Sequence, residues 1–166
     1  DMVCVVLGEV DIAEEFSKLP FDHLLYTGST AVGKKVMAAA APNLTPVTLE
    51  LGGKSPVIVL EGANLSAAVN PVMMGKTLNA GQTCIAPDYV LVQRKDHEQF
   101  IQLATEWMTK HYPNIKDNPD YSRLINVQQF KRVKGYLDQL AGEGVHQLTD
   151  AEPNIETRLM PPIIIS

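Results

Sequence analysis

A cysteine that follows a glycine-containing turn is the first candidate for chemistry in this sequence. Cys84 lies at the end of the stretch NAGQTC, three residues before Pro87. A thiolate attacks carbonyl carbons, and backbone N–H groups or a helix terminus favour the thiolate over the thiol. The turn could leave the sulfur exposed and direct a backbone N–H at a developing oxyanion. The alternative is a buried, unreactive cysteine, which is the commoner case and which suits Cys4 in its apolar run.

A glutamate near the end of an apolar stretch is the second candidate. Glu50 lies in the predicted strand 46–51, just ahead of Gly52 and Gly53. Open parallel sheets bind their ligands at the carboxyl ends of the strands, so a carboxylate here could act as a base toward water. The alternative is a solvated acid at a strand end, because charged side chains mostly stay exposed.

The stretch GSTAVGKK, residues 28–35, follows a predicted strand and opens a predicted helix. In that context backbone N–H groups and the helix dipole can hold a phosphate. Gly28, Gly33 and Lys34 fit the P-loop pattern, but Lys35 stands where the pattern needs a hydroxyl ligand for Mg²⁺. A P-loop nucleotide hydrolase is therefore disfavoured.

The same loop also lacks the complete Gly-x-Gly-x-x-Gly fingerprint of dinucleotide-binding folds, since only Gly28 and Gly33 are present. The alternative to a phosphate-binding role is a purely structural role for this loop. Gly28 would make a turn, Ser29 or Thr30 would cap the helix, and Gly33 would permit close helix packing.

Predicted strands alternate with predicted helices along the chain. Apolar periodicity and turn residues predict strands at 3–7, 23–27, 46–51, 55–60, 88–94, about 145–149 and 158–165. Helices are predicted from a cap at Asp11, from the 28–30 loop to Ala41, over 64–79, after Asp96, and from Asn126 to the Gly142/Gly144 pair. This alternation indicates an α/β fold with a mainly parallel sheet, and the Gly52-Gly53 pair is the expected boundary.

Two residues qualify the helix predictions. Pro71 lies inside the 64–79 pattern and predicts a kink or two helical pieces. His111 shares the apolar face of the helix after Asp96 with residues such as Phe100 and Trp107, which makes it a boundary residue.

Composition excludes several classes of protein. The 166 residues are 45% hydrophobic and 20% charged with a net charge of −5, and no block of Lys and Arg suggests a nucleic-acid or anionic-membrane surface. No apolar run reaches the roughly 18 residues that a membrane span needs. Two cysteines and four scattered histidines indicate neither a disulfide framework nor a metal site. We expect a cytoplasmic protein whose partners are small molecules.

Three stretches in order, TGSTAVG, TLELGGKSP and NAGQTC, resemble the aldehyde dehydrogenase superfamily. The stretch GQTCIAPDYVL is similar to its class-3 branch. FDHLLYTGSTAVG and YSRLINVQQFKRVKGYL resemble the bacterial coniferyl-aldehyde dehydrogenases of that branch. The resemblance covers essentially the whole chain.

The resemblance implies Rossmann-like layers, with 1–51 as the C-terminal part of an NAD(P)-binding domain and 52–166 as the N-terminal part of a catalytic domain. It implies that Cys84 attacks an aldehyde, that NAD⁺ or NADP⁺ accepts the hydride, and that Glu50 activates the hydrolytic water. It also implies a homodimer. The implied cofactor-binding residues are Gly28, Ser29, Thr30, Ala31, Val32, Gly33, Leu51 and Gly52.

Other features of the family are missing from the chain. Complete members are considerably longer, and their oxyanion asparagine, ribose-binding lysine and Glu-Ile-Phe-Gly-Pro segment have no counterpart here. We therefore expect an internal fragment that has little activity alone, from an enzyme acting on an aromatic aldehyde such as coniferyl aldehyde or on an aliphatic one. The remaining alternative is a non-catalytic binding or assembly module derived from the family.

Overall fold

The computed structural model describes residues 2–140, 142 and 144–166. The chain divides into two compact units, Asp1–Gly53 and Lys54–Ser166. Each unit contains its own parallel strand pair and its own group of buried apolar side chains.

The first unit contains two helices and two strands: α1 (Val10–Phe16), β1 (Leu24–Thr27), α2 (Thr30–Ala40) and β2 (Val47–Glu50). A short 3₁₀ turn, Ala41–Asn43, follows α2. The strands β1 and β2 pair in parallel, as the alternation of elements predicts. Helix α2 crosses between them and buries Val36 and Ala40 against Leu24. Together, β1, α2 and β2 form the packed part of the first unit.

The beginning of the chain departs from the prediction. Residues 3–7 form no strand, and Cys4 among them is exposed rather than buried. A strand is stabilised by hydrogen bonds to a neighbouring strand, and no described strand pairs with these residues. Helix α1 begins one residue before Asp11, which lies in its first turn and is not its cap.

The second unit contains the remaining elements: β3 (Ser55–Ile58), α3 (Leu65–Thr77), β4 (Pro87–Leu91), α4 (His97–His111), α5 (Val127–Leu137), β5 (Val145–Gln147) and β6 (Ile163–Ile165). The strands β3 and β4 pair in parallel, whereas β5 and β6 pair antiparallel. The predicted α/β class with Rossmann-like parallel strands is confirmed. Most strands are shorter than predicted, because only the hydrogen-bonded centre of each apolar run is regular.

Helix α3 is one element that contains Pro71, so of the predicted kink or division into two pieces the division is wrong. Asn64 caps its first turn, with Oδ1 accepting from the N–H of Ala67 at 3.0 Å. Pro71 is exposed, while Val69 lies on the buried side of the helix. The packed side therefore keeps the helix continuous although proline removes one backbone hydrogen bond.

Helices α3 and α4 build the core of the second unit. Phe100, Ala104 and Met108 of α4 are buried with Met73 of α3, which confirms the predicted apolar face. His111 is exposed at the end of this face, with its ring stacked on Trp107 at 4.0 Å between centroids. None of the helices in the described part of the chain is both long and apolar enough to cross a bilayer.

Helix α5 begins where the sequence predicts. Asn126 is its cap, and Oδ1 accepts from the N–H of Gln129 at 2.8 Å. The helix ends at Leu137, before the predicted stop at the Gly142/Gly144 pair.

Met108 offers a test of this core, because it is fully buried. Met108→Ala should lower the free energy of unfolding by about 2–5 kcal/mol, through lost burial and the cavity that remains. Chemical denaturation of the protein measures this value. Met74→Ala is the matched control: Met74 is 66% exposed, so its truncation should change the free energy by less than about 0.5 kcal/mol. Equal effects of the two substitutions would contradict the assigned core.

Candidate active site

Cys84 lies at the centre of a tight turn between α3 and β4. The N–H of Ala86 donates to the carbonyl oxygen of Thr83 at 3.2 Å, which closes the turn around Cys84 and Ile85. Both central residues are exposed, and the thiol is free. The alternative of a buried structural cysteine is therefore wrong for Cys84.

The chain enters this turn through three consecutive residues in the left-handed region. Asn79 has φ 51°, Ala80 has φ 53° and Gly81 has φ 75°. For a residue with a side chain this conformation costs roughly 1–2 kcal/mol, although asparagine tolerates it better than most. Backbone strain is thus concentrated just ahead of the candidate nucleophile, where it needs compensating contacts.

Gly81 is favoured by space as well as by conformation. A Cβ atom built on Gly81 would lie 3.2 Å from the carbonyl oxygen of Lys76 and 3.5 Å from its Cε. The turn therefore folds back onto the end of α3, with the stem of Lys76 beneath it.

The carboxamide of Gln82 connects the turn to a distant segment. Its Nε2 donates to the carbonyl oxygens of Asn79 at 2.9 Å and Arg123 at 3.1 Å. Its Oε1 accepts from the N–H of Ile125 at 2.9 Å. The side chain is half-buried, and its partners Arg123 and Ile125 are 41 and 43 positions away in the sequence.

Two lysines and one aspartate lie close to the same turn. The ammonium of Lys54 pairs with the carboxylate of Asp88 at 2.9 Å. Burial lowers the pKa of Lys76, and the attraction of Asp88 offsets part of that effect. The two ammonium groups therefore bring positive charge close to the turn, and the carboxylate of Asp88 neutralises only part of it.

The glycine loop and Glu50 lie in the first unit. Thr27 is opposite Glu50 in the β1–β2 register, and the N–H of Gly28 donates to the carbonyl oxygen of Glu50 at 3.0 Å. The parallel pairing therefore holds the glutamate backbone against the start of the loop. Glu50 is exposed, which matches the alternative of a solvated acid at a strand end.

The loop leads directly into α2. Ser29 is the cap, and its Oγ accepts from the N–H of Val32 at 3.3 Å. Gly33 is buried, and a Cβ built on it would lie 3.1 Å from Cδ2 of Leu51. A strand, a short glycine loop and a helix N-terminus at the carboxyl edge of parallel strands fit the phosphates of a dinucleotide.

The predicted site residues thus fall into two groups. The structure brings the glycine loop 28–33, Glu50 and Leu51 together in the first unit, with Gly52 next in the chain. Cys84 belongs to the second unit. Among the residues that the structure describes, no three or more His, Cys, Asp and Glu side chains are grouped so that they could hold a metal ion.

Sequence reasoning missed two features of the Cys84 turn. The asparagine and glycine of NAGQTC are typical of left-handed backbone, and that signal could have predicted the conformation at Asn79 and Gly81. No local signal could have predicted the bonds of Gln82, since its partners lie in a segment far along the chain.

Comparison with known proteins gives the same family at the level of a family model and of individual relatives. The family model described as "Aldehyde dehydrogenase family" matches residues 1–166. A probable coniferyl aldehyde dehydrogenase of Pseudomonas aeruginosa is 56% identical over 144 residues, which cover 87% of this chain and 30% of that protein. Aldehyde dehydrogenase family 3 member A2 of Rattus norvegicus is 44% identical over 167 residues, which cover 100% of this chain and 34% of that protein.

A solved structure agrees with these sequence matches. The aldehyde dehydrogenase of Mycobacterium tuberculosis, in complex with NAD⁺, has a TM-score of 0.79 and 30% identity. The match covers 94% of this chain and 34% of that one. The chain therefore spans about a third of the length of the relatives that it matches.

The geometry of the turn generates one prediction at Gly81. Gly81→Ala should destabilise the protein more than Gly62→Ala, although both glycines have nearly equal φ values of +75° and +77°. The left-handed backbone should cost each variant roughly 1–2 kcal/mol. Collision with the Lys76 carbonyl should add ~1–3 kcal/mol for Gly81 only, because nothing lies within 4 Å of a Cβ on Gly62. Chemical denaturation of both variants checks the difference, and equal losses would count against the folded-back turn.

Proposed function

Since this chain belongs to the aldehyde dehydrogenase family, we propose that it is part of an enzyme that oxidises an aldehyde to a carboxylic acid with NAD⁺ or NADP⁺. The observation that carries the proposal is the exposed, free thiol of Cys84 at the centre of a fixed turn. The resemblance to the class-3 branch and to its coniferyl-aldehyde members agrees with the relatives found.

The activity belongs to a full-length protein in which this chain is one section. We assign residues 1–51 to the C-terminal part of an NAD(P)-binding domain and residues 52–166 to the N-terminal part of a catalytic domain. The division of the structure into Asp1–Gly53 and Lys54–Ser166 supports this assignment. The 166 residues alone are proposed to be inactive, because they span only about a third of the relatives.

In the first half of the reaction, Cys84 acts as the nucleophile. Its thiolate sulfur forms a bond to the aldehyde carbon, and the carbonyl electron pair moves to oxygen to give a thiohemiacetal. Loss of hydride from that carbon re-forms the carbonyl and leaves a thioester on Cys84. The backbone N–H of Cys84 is proposed to donate to the transient oxyanion.

In the second half, Glu50 acts as the general base. Its carboxylate takes a proton from water, and the oxygen of that water attacks the thioester carbonyl. The carbon–sulfur bond then breaks, the thiolate of Cys84 is restored, and the carboxylic acid leaves. The place of Glu50 at the end of β2, at the carboxyl edge of a parallel strand pair, supports this role.

The residues that would hold the cofactor line the carboxyl edge of the β1–β2 pair. The backbone of Gly28 to Gly33 would bind the pyrophosphate, with Ser29 closest to it and Val32 toward the adenine. Leu51 and Gly52 would lie at the nicotinamide end. When bound, NAD(P)⁺ supplies the oxidant, because its nicotinamide accepts the hydride released at Cys84.

For the substrate we propose an aromatic aldehyde, with coniferyl aldehyde as the first compound to test. The name of the Pseudomonas relative at 56% identity supports this choice. A fatty or aliphatic aldehyde is the alternative. A homodimeric assembly and a cytoplasmic location remain predictions for the full-length protein.

Replacement of the nucleophile tests the proposal directly. Cys84→Ala in the full-length protein should lower the rate of aldehyde-dependent NAD(P)H formation by ~10⁴-fold or more, because the covalent adduct cannot form. Absorbance of NAD(P)H with coniferyl aldehyde measures the rate. Cys4→Ala is the matched control, since Cys4 is also an exposed, free cysteine, and it should retain wild-type activity. Turnover that survives Cys84→Ala would overturn the assignment of Cys84 as the nucleophile, whereas a full-length wild-type protein without turnover would favour the non-catalytic module.

Replacement of the base tests the second half of the reaction. Glu50→Gln should slow hydrolysis of the thioester by about 10²-fold or more while the first NAD(P)H forms at close to the wild-type rate. Rapid mixing should therefore show a retained burst followed by a much slower steady state. Glu61→Gln, which removes an exposed carboxylate that pairs with Lys95, should leave both phases unchanged. An unaltered acyl-enzyme lifetime in Glu50→Gln would rule out this role.

A further inference from the structure

We propose that Gln82 is a positioning residue that holds the Cys84 turn in the orientation needed for attack on a carbonyl. The inference rests on the proposed role of Cys84 as the nucleophile. It adds a residue that touches neither the substrate nor the cofactor and that acts through the backbone of the turn.

The hydrogen bonds of Gln82 hold the segment that leads into the turn. One Nε2–H reaches back to the carbonyl oxygen of Asn79, where the left-handed segment begins. The other Nε2–H and Oε1 reach across to Arg123 and Ile125. Both donors of the amide and its acceptor are therefore used, and all three partners are backbone groups.

The segment that receives these bonds is itself held in place. The Arg123 guanidinium donates to the carbonyl oxygens of Ile115 at 3.3 Å and Lys116 at 2.6 Å. The N–H of Leu124 donates to the carbonyl oxygen of Arg158 at 3.0 Å, and the Leu124 side chain is buried. Gln82 thus connects the turn to a fixed support.

The turn needs such a support because its own conformation is strained and its centre is open to solvent. Asn79 and Ala80 both have left-handed backbone, and Cys84 and Ile85 are exposed. Few local contacts can therefore fix the direction of the thiol. Attack on a carbonyl depends steeply on that direction, and a misplacement of about 1 Å can reduce the rate by roughly 10²-fold.

Only an amide of this length satisfies all three partners. A carboxylate would place a second oxygen against two carbonyl oxygens, and a thioether would leave the N–H of Ile125 and both carbonyls unpaired. Gln82→Met keeps the length and volume of the side chain and removes every hydrogen bond. Gln82→Glu keeps the acceptor for Ile125 and loses the donors when ionised.

The test compares two reactions of the same thiol in the full-length protein. Acylation by p-nitrophenyl acetate requires an aimed attack on a carbonyl: the sulfur bonds to the acetyl carbon and p-nitrophenolate leaves. Alkylation by iodoacetamide, followed at Cys84 by peptide mass spectrometry, requires only an accessible thiolate. In Gln82→Met, acylation and kcat for coniferyl aldehyde should fall by about 10- to 100-fold, while the pH profile of alkylation stays close to wild type.

Gln82→Glu adds a signature that a purely structural residue would not give. The acylation rate of Gln82→Glu, divided by the wild-type rate at the same pH, should increase as the pH is lowered from about 8 to about 6. The facing carbonyl oxygens raise the pKa of the new carboxyl group, and its protonation restores one hydrogen-bond donor. Gln139→Met is the matched control, since the Gln139 amide donates to the carbonyl oxygen of Gly135 four residues earlier in the chain. Gln139→Met should leave the acylation rate, the alkylation rate and kcat unchanged.

The outcomes separate this inference from the proposed function. Acylation in wild type that disappears in Cys84→Ala, together with slow acylation and normal alkylation in Gln82→Met, supports positioning. Wild-type acylation that Gln82→Met does not slow would overturn the inference alone. Parallel loss of acylation and alkylation would also overturn it, because Gln82 would then act on thiol ionisation or folding. A wild-type protein without acylation at Cys84 would overturn the proposed function itself.

Discussion

Parallel strand pairing is the constraint on which the rest of this structure depends. Both units contain a strand, a crossover helix and a second strand beside the first, and parallel strands cannot be joined by a tight hairpin. Each connection must therefore leave one end of the sheet and return to the other. In the first unit this places the glycine loop and Glu50 at the same carboxyl edge, where the N–H of Gly28 meets the glutamate carbonyl. In the second unit it places Cys84 in the connection that leads from α3 back into β4.

The two connections solve different physical problems. The loop before α2 can stay short and regular, because Ser29 caps the helix. The connection after α3 must reverse direction and present a side chain to solvent, and it does so through left-handed residues that are costly for Asn79 and Ala80. The long-range bonds of Gln82 add to the local hydrogen bonds, and they connect this turn to a segment more than forty positions away.

Sequence reasoning succeeded where short-range patterns decide the structure. The start of α5 at Asn126, a cap at Ser29 or Thr30, the apolar face of α4 and the parallel alternation could be predicted, because each depends on short-range patterns. The cap predicted at Asp11 was wrong. Prediction failed where tertiary context decides. Residues 3–7 have strand composition but no described partner strand, and Pro71 is tolerated because it faces outward from a well-packed helix. The site residues were predicted from motifs, whereas the amide that supports Cys84 carries no signal of its partners.

The two units differ in how well their own cores can hold the site residues. The buried core of the second unit includes side chains from α3, α4, the segment after α4 and the segment between β5 and β6, so this core is broad. The corresponding core of the first unit consists of Leu24, Val36 and Ala40, and α1 contributes no buried residue. A core of this size supplies little stability to some fifty residues. The position of Glu50 therefore depends mainly on the β1–β2 pairing, and its proposed role in hydrolysis is consistent with a section of a larger protein in which further packing stabilises that strand pair.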